Sequence, residues 1–130
     1  MQQRVFFVVA WAFVLFYFTC SLDPFTLHIS GFHFQPHPHF KSLLKLDLHP
    51  LHPFWLIQKI GHFSGFLIMD ALLVKLFRRR NAAAIVTVLF AITTEIFQLY
   101  FMRDGRLYDM VIDSLGVALS YFLQARSRIR

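Results

Sequence analysis

Charge is scarce in this chain. Asp, Glu, Lys and Arg make up 15% of its 130 residues against 57% hydrophobic residues, and the mean hydropathy is +0.54. A water-soluble domain of this size needs far more polar surface, so an ordinary soluble globular protein is excluded. Cysteine is nearly absent as well: Cys20 stands alone, which rules out an intramolecular disulfide framework and any multi-cysteine metal site. Glycine and proline number five each, and every proline lies between Pro24 and Pro53, so collagen-like, repeat-built and disordered chains are excluded too. What remains is a single domain with 17 Phe and long uncharged runs, the signature of an integral membrane protein. The net charge of +6 matters less as a sum than through its placement around those runs, and no nucleic-acid partner is expected.

Four runs are long enough to cross about 30 Å of hydrocarbon as helices. The first, 5–22, follows Arg4 and carries no charge; it exceeds the usual apolar core of a secretory leader, about 7 to 15 residues, and no A-x-A site follows it. The second, 54–77, is stopped by Arg78-Arg79-Arg80, and the third, 82–102, begins so soon afterwards that the two must form an antiparallel hairpin. The fourth, 107–123, is reached through the polar turn Arg103-Asp104-Gly105-Arg106. The expected fold is therefore all-α: a polytopic membrane protein of four transmembrane helices in an antiparallel bundle, forming one domain over 1–130. The segment 23–53 holds all five prolines and six of the seven histidines and reads as a loop at headgroup level, with Phe40 to Leu48 as a short interfacial turn of helix.

Basic residues are retained on the cytoplasmic side of a membrane. Arg4, Arg78, Arg79, Arg80, Arg126, Arg128 and Arg130 gather on one side, and Lys41, Lys45, Arg103 and Arg106 on the other. The sequence thus predicts a bacterial plasma-membrane protein with both termini cytoplasmic and the His/Pro loop outside. The triple arginine serves as a topology anchor drawn to anionic lipid.

Polar residues inside such spans cost about 2.5 to 3.5 kcal/mol each near a helix centre, so they are paired, directed inward or used. The second helix carries Lys59, His62 and Asp70; the third Glu95 and Gln98, with Thr87 and Thr94 near the same side; the fourth Asp109 and Asp113. Lys59/His62 and Glu95/Gln98 are spaced i,i+3, while Asp109, Asp113, Gly116 and Ser120 advance by four, three and four residues. Each set therefore forms one stripe on its helix. Counted inward from the outer ends, Lys59 and His62 lie roughly 8 and 12 Å deep, Glu95 and Gln98 roughly 10 and 6 Å, Asp109 and Asp113 roughly 3 and 9 Å. Together with Arg103, Arg106 and Asp104 they are expected to form one network in the outer half of the membrane. Asp70 lies roughly 24 Å down, outside that network and nearer Lys75 and Arg78.

Lys59-x-x-His62, Glu95-x-x-Gln98, and Arg103 followed by Asp109-x-x-x-Asp113-x-x-Gly116 resemble the pattern of the VanZ-like family of small bacterial membrane proteins. The resemblance covers about the last 75 residues. It departs at Asp113, where the family often has Asn, and it carries nothing over to the His/Pro loop. It implies a cell-envelope protein, in a family whose eponymous member confers resistance to the glycopeptide antibiotic teicoplanin, and it supplies no reaction.

Several readings of the polar network stay open at this level. Lys59, Glu95, Arg103 and Asp109 can simply pin the helices in register. Alternatively, Lys59, His62, Glu95, Gln98, Arg103, Arg106, Asp109 and Asp113 line a site for a lipid head group, a lipid-linked cell-wall precursor or a glycopeptide, making the protein a non-enzymatic modulator at the outer leaflet. A membrane-embedded enzyme acting on a lipid ester or phosphate, with Glu95 or Asp109 as base and His62 as acid, is the alternative, although no nucleophile motif or metal triad is visible in the sequence. A proton-coupled carrier working through Asp70 and the outer carboxylates would need an oligomer, since four helices show no inverted repeat. His33, His37, His39, His49 and His52 offer imidazoles to a metal, but their stiff Pro-interrupted spacing lacks helical i,i+4 pairing, so neither a metal nor a cofactor is expected. Gly116-x-x-x-Ser120 permits close helix approach, within the chain or in a homo-oligomer.

Overall fold

The computed structural model describes residues 1–21, 31 and 33–127. Four helices and one short turn account for its regular structure: α1 (Gln2–Ser21), a 3₁₀ turn (Phe40–Leu44), α2 (Pro53–Phe77), α3 (Arg80–Tyr100) and α4 (Leu107–Ser127). There is no strand among the described residues. The last residue of the first expected span, 22, positions 23–30 and 32 of the expected outside loop, and the basic residues Arg128 and Arg130 lie outside the described residues.

Local chemistry sets the helix ends. Pro53 opens α2, where its missing N–H would have had no partner. Arg78 closes α2 in the left-handed conformation, φ 59°, with its N–H on the Val74 carbonyl. Helix α3 stops two residues before the expected 102, because Met102 turns left-handed (φ 56°) and Arg103 N–H reaches back to the Gln98 carbonyl at 2.8 Å. This is the 6→1 bond of a Schellman end, and it aims the chain at Arg103 back over the helix. The interfacial turn expected over Phe40 to Leu48 is a helical turn only as far as Leu44.

Helices α1, α2 and α3 are each long and apolar enough to cross a membrane. Helix α4 is the least apolar of the four, since it carries Asp109, Asp113, Ser114, Ser120 and Gln124. The distribution of polarity inverts that of a soluble protein. Phe6, Phe13, Ile60, Ile85, Val111 and Phe122 are exposed, while Lys59, His62, Asp70, Glu95, Asp109 and Asp113 are buried. Apolar side chains lose nothing facing hydrocarbon, whereas each ionisable group must find its partners inside the protein.

Packing centres on α2, whose contact with α4 is the most extensive in the molecule. Gly116 makes that contact possible: a Cβ there would collide with the Phe63 carbonyl of α2. Ser120, one turn further along α4, is also buried, so this small-residue face serves packing within the chain. Phe66, Met69, Leu73, Ala83, Ala91 and Val117 build the apolar core beside it. Helix α1 leans on α2 and α3; Leu15 sits over Gly65, and the Trp11 indole donates to the Gly65 carbonyl at 2.9 Å.

Contacts at the two ends show which elements meet. Arg4 donates to the Lys75 carbonyl (3.0 Å), Tyr121 donates to Asn81 (2.9 Å), and the Arg80 guanidinium lies over the Tyr121 ring. The start of α1, the 78–80 connection and the end of α4 therefore lie together. At the opposite end, Gln35 takes the Tyr100 carbonyl through its backbone N–H (2.7 Å) and the Leu99 carbonyl through its side chain (2.6 Å), tying the loop to the end of α3. Asp70 does not pair with Lys75, which is exposed; it is buried against α4, where the Gln124 amide donates to it at 3.3 Å.

Replacing Gly116 with Ala is expected to force α2 and α4 apart at a cost of about 1–3 kcal/mol. Gly61→Ala, where a Cβ meets nothing within 4 Å, should be neutral or stabilising by about 0.5–1 kcal/mol. Thermal denaturation of both variants in one detergent checks the contrast.

Candidate functional site

Near the end where the 33–52 loop meets the 101–106 turn, the stripes of α2, α3 and α4 converge. Lys59 on α2 places its ammonium within 2.6 and 2.7 Å of the two carboxylate oxygens of Asp109 on α4. The same ammonium lies over the rings of Tyr108 (4.9 Å) and Trp55 (5.3 Å), which shield it from solvent while offering their negative faces. One turn deeper, His62 Nδ1 stands 3.0 Å from Asp113 Oδ1 and 3.7 Å from Glu95 Oε1. The i,i+3 step on α2 thus faces the i,i+4 step on α4, and an ion pair and an imidazole–carboxylate contact bridge the same two helices.

Glu95 is fully buried, and both its oxygens are used. Oε1 accepts from the Gln98 amide at 3.0 Å, one turn along the same helix face, and Oε2 accepts from the backbone N–H of Arg106 at 2.9 Å. That second bond requires the 103–106 turn to fold flat onto α3. Gly105 allows it, since a Cβ at that position would strike the Glu95 carbonyl. Thr87 and Thr94 are buried on the same side, with their hydroxyls returned to the carbonyls of Ala83 and Ala91.

Arg106 carries a different task from the one its sequence position suggests. Its side chain is 4% exposed and grips Asp47 in the loop with two parallel bonds of 2.7 Å, from Nε and from Nη2. It also donates to the Ser42 carbonyl at 3.1 Å and lies 3.2 Å from Asp104. Paired planar forks of this kind are the strongest common ion-pair geometry. The Arg106 guanidinium holds the Asp47 carboxyl down at about 2, and the same bond raises Arg106 further above its ordinary value. Tyr108 adds a hydroxyl donor to Asp47 at 3.3 Å. Asp47 was missed by spacing arguments because it lies in no span; the signal that could have found it is that it is one of only two acids between residues 23 and 53.

These elements enclose a polar cavity of about 180 Å³ lined by Gln58, Lys59, Gln98, Arg103, Arg106 and Asp109 among others. Beside it runs an apolar groove of about 330 Å³ between α1 and α2, floored by Trp11, Leu15, Phe18, Ile57 and Ile68. Thr19 and Gln58 belong to both walls, and His62 borders the groove. Gln58 carried no weight in the sequence because a single amide at the end of an apolar run has no periodic partner. Asp70 stays outside this assembly, as its depth implied, and Asp113 takes part only at the bottom, beneath the cavity. Among the described residues the groups close enough to share an ion are His62, Glu95 and Asp113, and no loop histidine joins such a group.

A helical chain with several apolar helices and an interior of paired charges is a multi-pass membrane protein. It belongs to the VanZ/LLP1 family, which matches residues 5–127 and so extends the likeness from the last 75 residues to nearly the whole chain. It is 35% identical over 127 residues to the uncharacterized membrane protein YwnJ of Bacillus subtilis (strain 168), covering 95% of this chain and 91% of that protein. No solved structure matches it.

Removing one member of the Lys59–Asp109 pair leaves the other charge buried. Asp109→Asn is expected to destabilise the fold by about 3–5 kcal/mol, while the double replacement Lys59→Met with Asp109→Leu recovers most of the loss. Thermal melts of the single and double variants in detergent read the difference directly.

The Asp47–Arg106 pair has its own pH signature. A carboxyl held below its ordinary value stabilises the fold above pH 3.8, and that contribution is lost as pH falls toward 2. Asp47→Asn should therefore melt below wild type at pH 6, with the gap closing between pH 4 and pH 2. A gap that stays constant across that range would show that the pair does not hold the loop.

Proposed function

We propose that this protein is a non-enzymatic cell-envelope protein that binds an amphiphile with a phosphate-bearing head group, either a membrane lipid or a lipid-linked cell-wall precursor, at the outer leaflet. The observation that carries the reading is a polar cavity lined by three cations and three carboxylates that adjoins an apolar groove, with Thr19 and Gln58 at the seam. A head group needs charge-assisted donors, and Arg103 lines the cavity with the amides of Gln58 and Gln98, while Lys59 and Arg106 line it from within their pairs with Asp109 and Asp47. An acyl or prenyl chain needs apolar wall, which the groove between α1 and α2 offers. The acidic residues present at the same cavity, Asp47, Asp104 and Asp109, favour a zwitterionic or partly neutralised head group over a bare polyanion.

The orientation belongs to the same proposal. All four helices span the membrane in alternating directions, α4 crossing with its carboxylates turned toward α2 and α3, and both termini lie in the cytoplasm of a bacterial cell. Retention of Arg4, Arg78, Arg79, Arg80 and Arg126 on one side supports this, and it sets the cavity at the outer face, where wall precursors and glycopeptides such as teicoplanin are found.

A second reading, an enzyme acting on a lipid ester or phosphate, draws on the 3.7 Å approach of His62 to Glu95. The two part in a single experiment. Native mass spectrometry and binding titrations with phosphatidylglycerol, phosphatidylethanolamine, undecaprenyl phosphate and teicoplanin, on wild type beside Arg103→Ala, are expected to give a defined adduct on the wild type. Loss of one charged hydrogen bond should weaken it roughly 10–100-fold in the variant. Release of a cleaved product would instead favour the enzyme, and equal, non-saturating uptake by both proteins would overturn the binding site.

A further inference from the structure

Three helices each deliver one potential ligand to a single point: His62 from α2, Glu95 from α3 and Asp113 from α4, with donor atoms all within 4.8 Å of one another. His62 Nδ1 is 3.0 Å from Asp113 Oδ1 and 3.7 Å from Glu95 Oε1. Donor atoms held at about 2.1 Å from one ion stand roughly 3.0 to 3.4 Å apart; the His62–Asp113 separation already falls in that range, and Glu95, held within 4.8 Å of both, would close in on the ion. We infer that His62, Glu95 and Asp113 form a three-ligand site for a divalent first-row transition-metal ion. This goes beyond the proposed head-group site and does not depend on it.

Two independent observations support the site. Asp113 is completely buried, and its second carboxylate oxygen, Oδ2, has no hydrogen-bond partner among the described residues. A bare carboxylate oxygen in a low-dielectric interior is costly, and a cation is what it lacks. The charge balance points the same way. Lys59 is engaged by both oxygens of Asp109, and Arg106 is engaged by Asp47. With His62 as a neutral ligand, Glu95 and Asp113 are left as two buried negative charges, which one divalent ion cancels.

The donor set selects the metal class. One imidazole nitrogen with two carboxylates suits Zn²⁺, Mn²⁺ or Fe²⁺ better than Mg²⁺ or Ca²⁺, which take oxygen alone, and without thiolate or thioether it does not suit Cu⁺. The supporting contacts are also of the right kind: the Gln98 amide and the Arg106 backbone N–H orient Glu95, as outer partners orient metal-binding carboxylates elsewhere. The histidines of the 33–52 loop take no part.

The test uses full-length protein purified in detergent without a polyhistidine tag, stripped with chelator, then given Zn²⁺, Mn²⁺ or Co²⁺ alone. Elemental analysis after desalting is expected to find about one ion per chain, with Co²⁺ producing visible absorption bands of a nitrogen- and oxygen-ligated centre. Asp113→Asn should weaken binding by at least about 10-fold while keeping the wild-type elution volume and helical circular dichroism. A His37→Ala/His39→Ala variant should bind like wild type. Stripped wild type that takes up less than about a tenth of an ion per chain overturns the site without any variant having to fold. So does binding that survives Asp113→Asn and disappears with the loop histidines.

Discussion

Burying the charge of Lys59 requires an opposite charge from another helix, and much of the structure is arranged around the pair it makes with Asp109. In hydrocarbon there is no water to solvate Lys59 or Asp109, so the two meet at 2.6–2.7 Å and bring α2 and α4 with them. Once the helices are that close, the next turn brings His62 to Asp113. Gly116 is the backbone counterpart of the same demand: a Cβ there would meet the Phe63 carbonyl, so α2 and α4 approach this closely only with glycine at that position. Such pairs do little for net stability compared with apolar packing, but they penalise every register in which a charge is left alone.

The second constraint acts at the end of the helices. Arg106 is anchored twice, through its backbone on Glu95 and through its side chain on Asp47, so the loop, α3 and the start of α4 are tied at one residue. The cavity exists because this cap stops short of closing over Lys59 and Gln98. Arg106 at the mouth is in this way a structural strut as well as part of the cavity lining. The apolar groove alongside, between α1 and α2, gives the same end of the molecule the mixed character that an amphiphile matches. Helix α1 supplies the groove's other wall and reaches the polar cavity through Thr19.

How much of this was legible in the chain differs from residue to residue. Lys59/His62, Glu95/Gln98 and Asp109/Asp113 could be placed on single helix faces because helical spacing is a local property, and all six prove buried. Their assignment to one depth followed from the lengths of the intervening connections. Which carboxylate would take which cation was not readable. Lys59 faces Asp109 and Asp113 on α4, with Glu95 a helix away, and a rotation of one helix by a fraction of a turn would exchange them. Asp47 and Gln35 were invisible for another reason: they lie in a segment without periodicity, and their partners, Arg106 and the Leu99 and Tyr100 carbonyls, are about sixty residues distant.

From composition and local order alone, the sequence determined the membrane class, the helical elements, the near position of their ends and the polar stripe on each helix. These depend on hydropathy and on the 3.6-residue repeat, which act over a few turns of chain. Only the tertiary structure decided that His62, Glu95 and Asp113 converge within 4.8 Å and that Arg106 is committed to the loop. It alone decided, too, that a polar cavity and an apolar groove share a wall. Those features depend on the rotation and separation of helices relative to one another, which are set by how side chains and a single glycine interlock across the interface and leave no periodic trace along the chain.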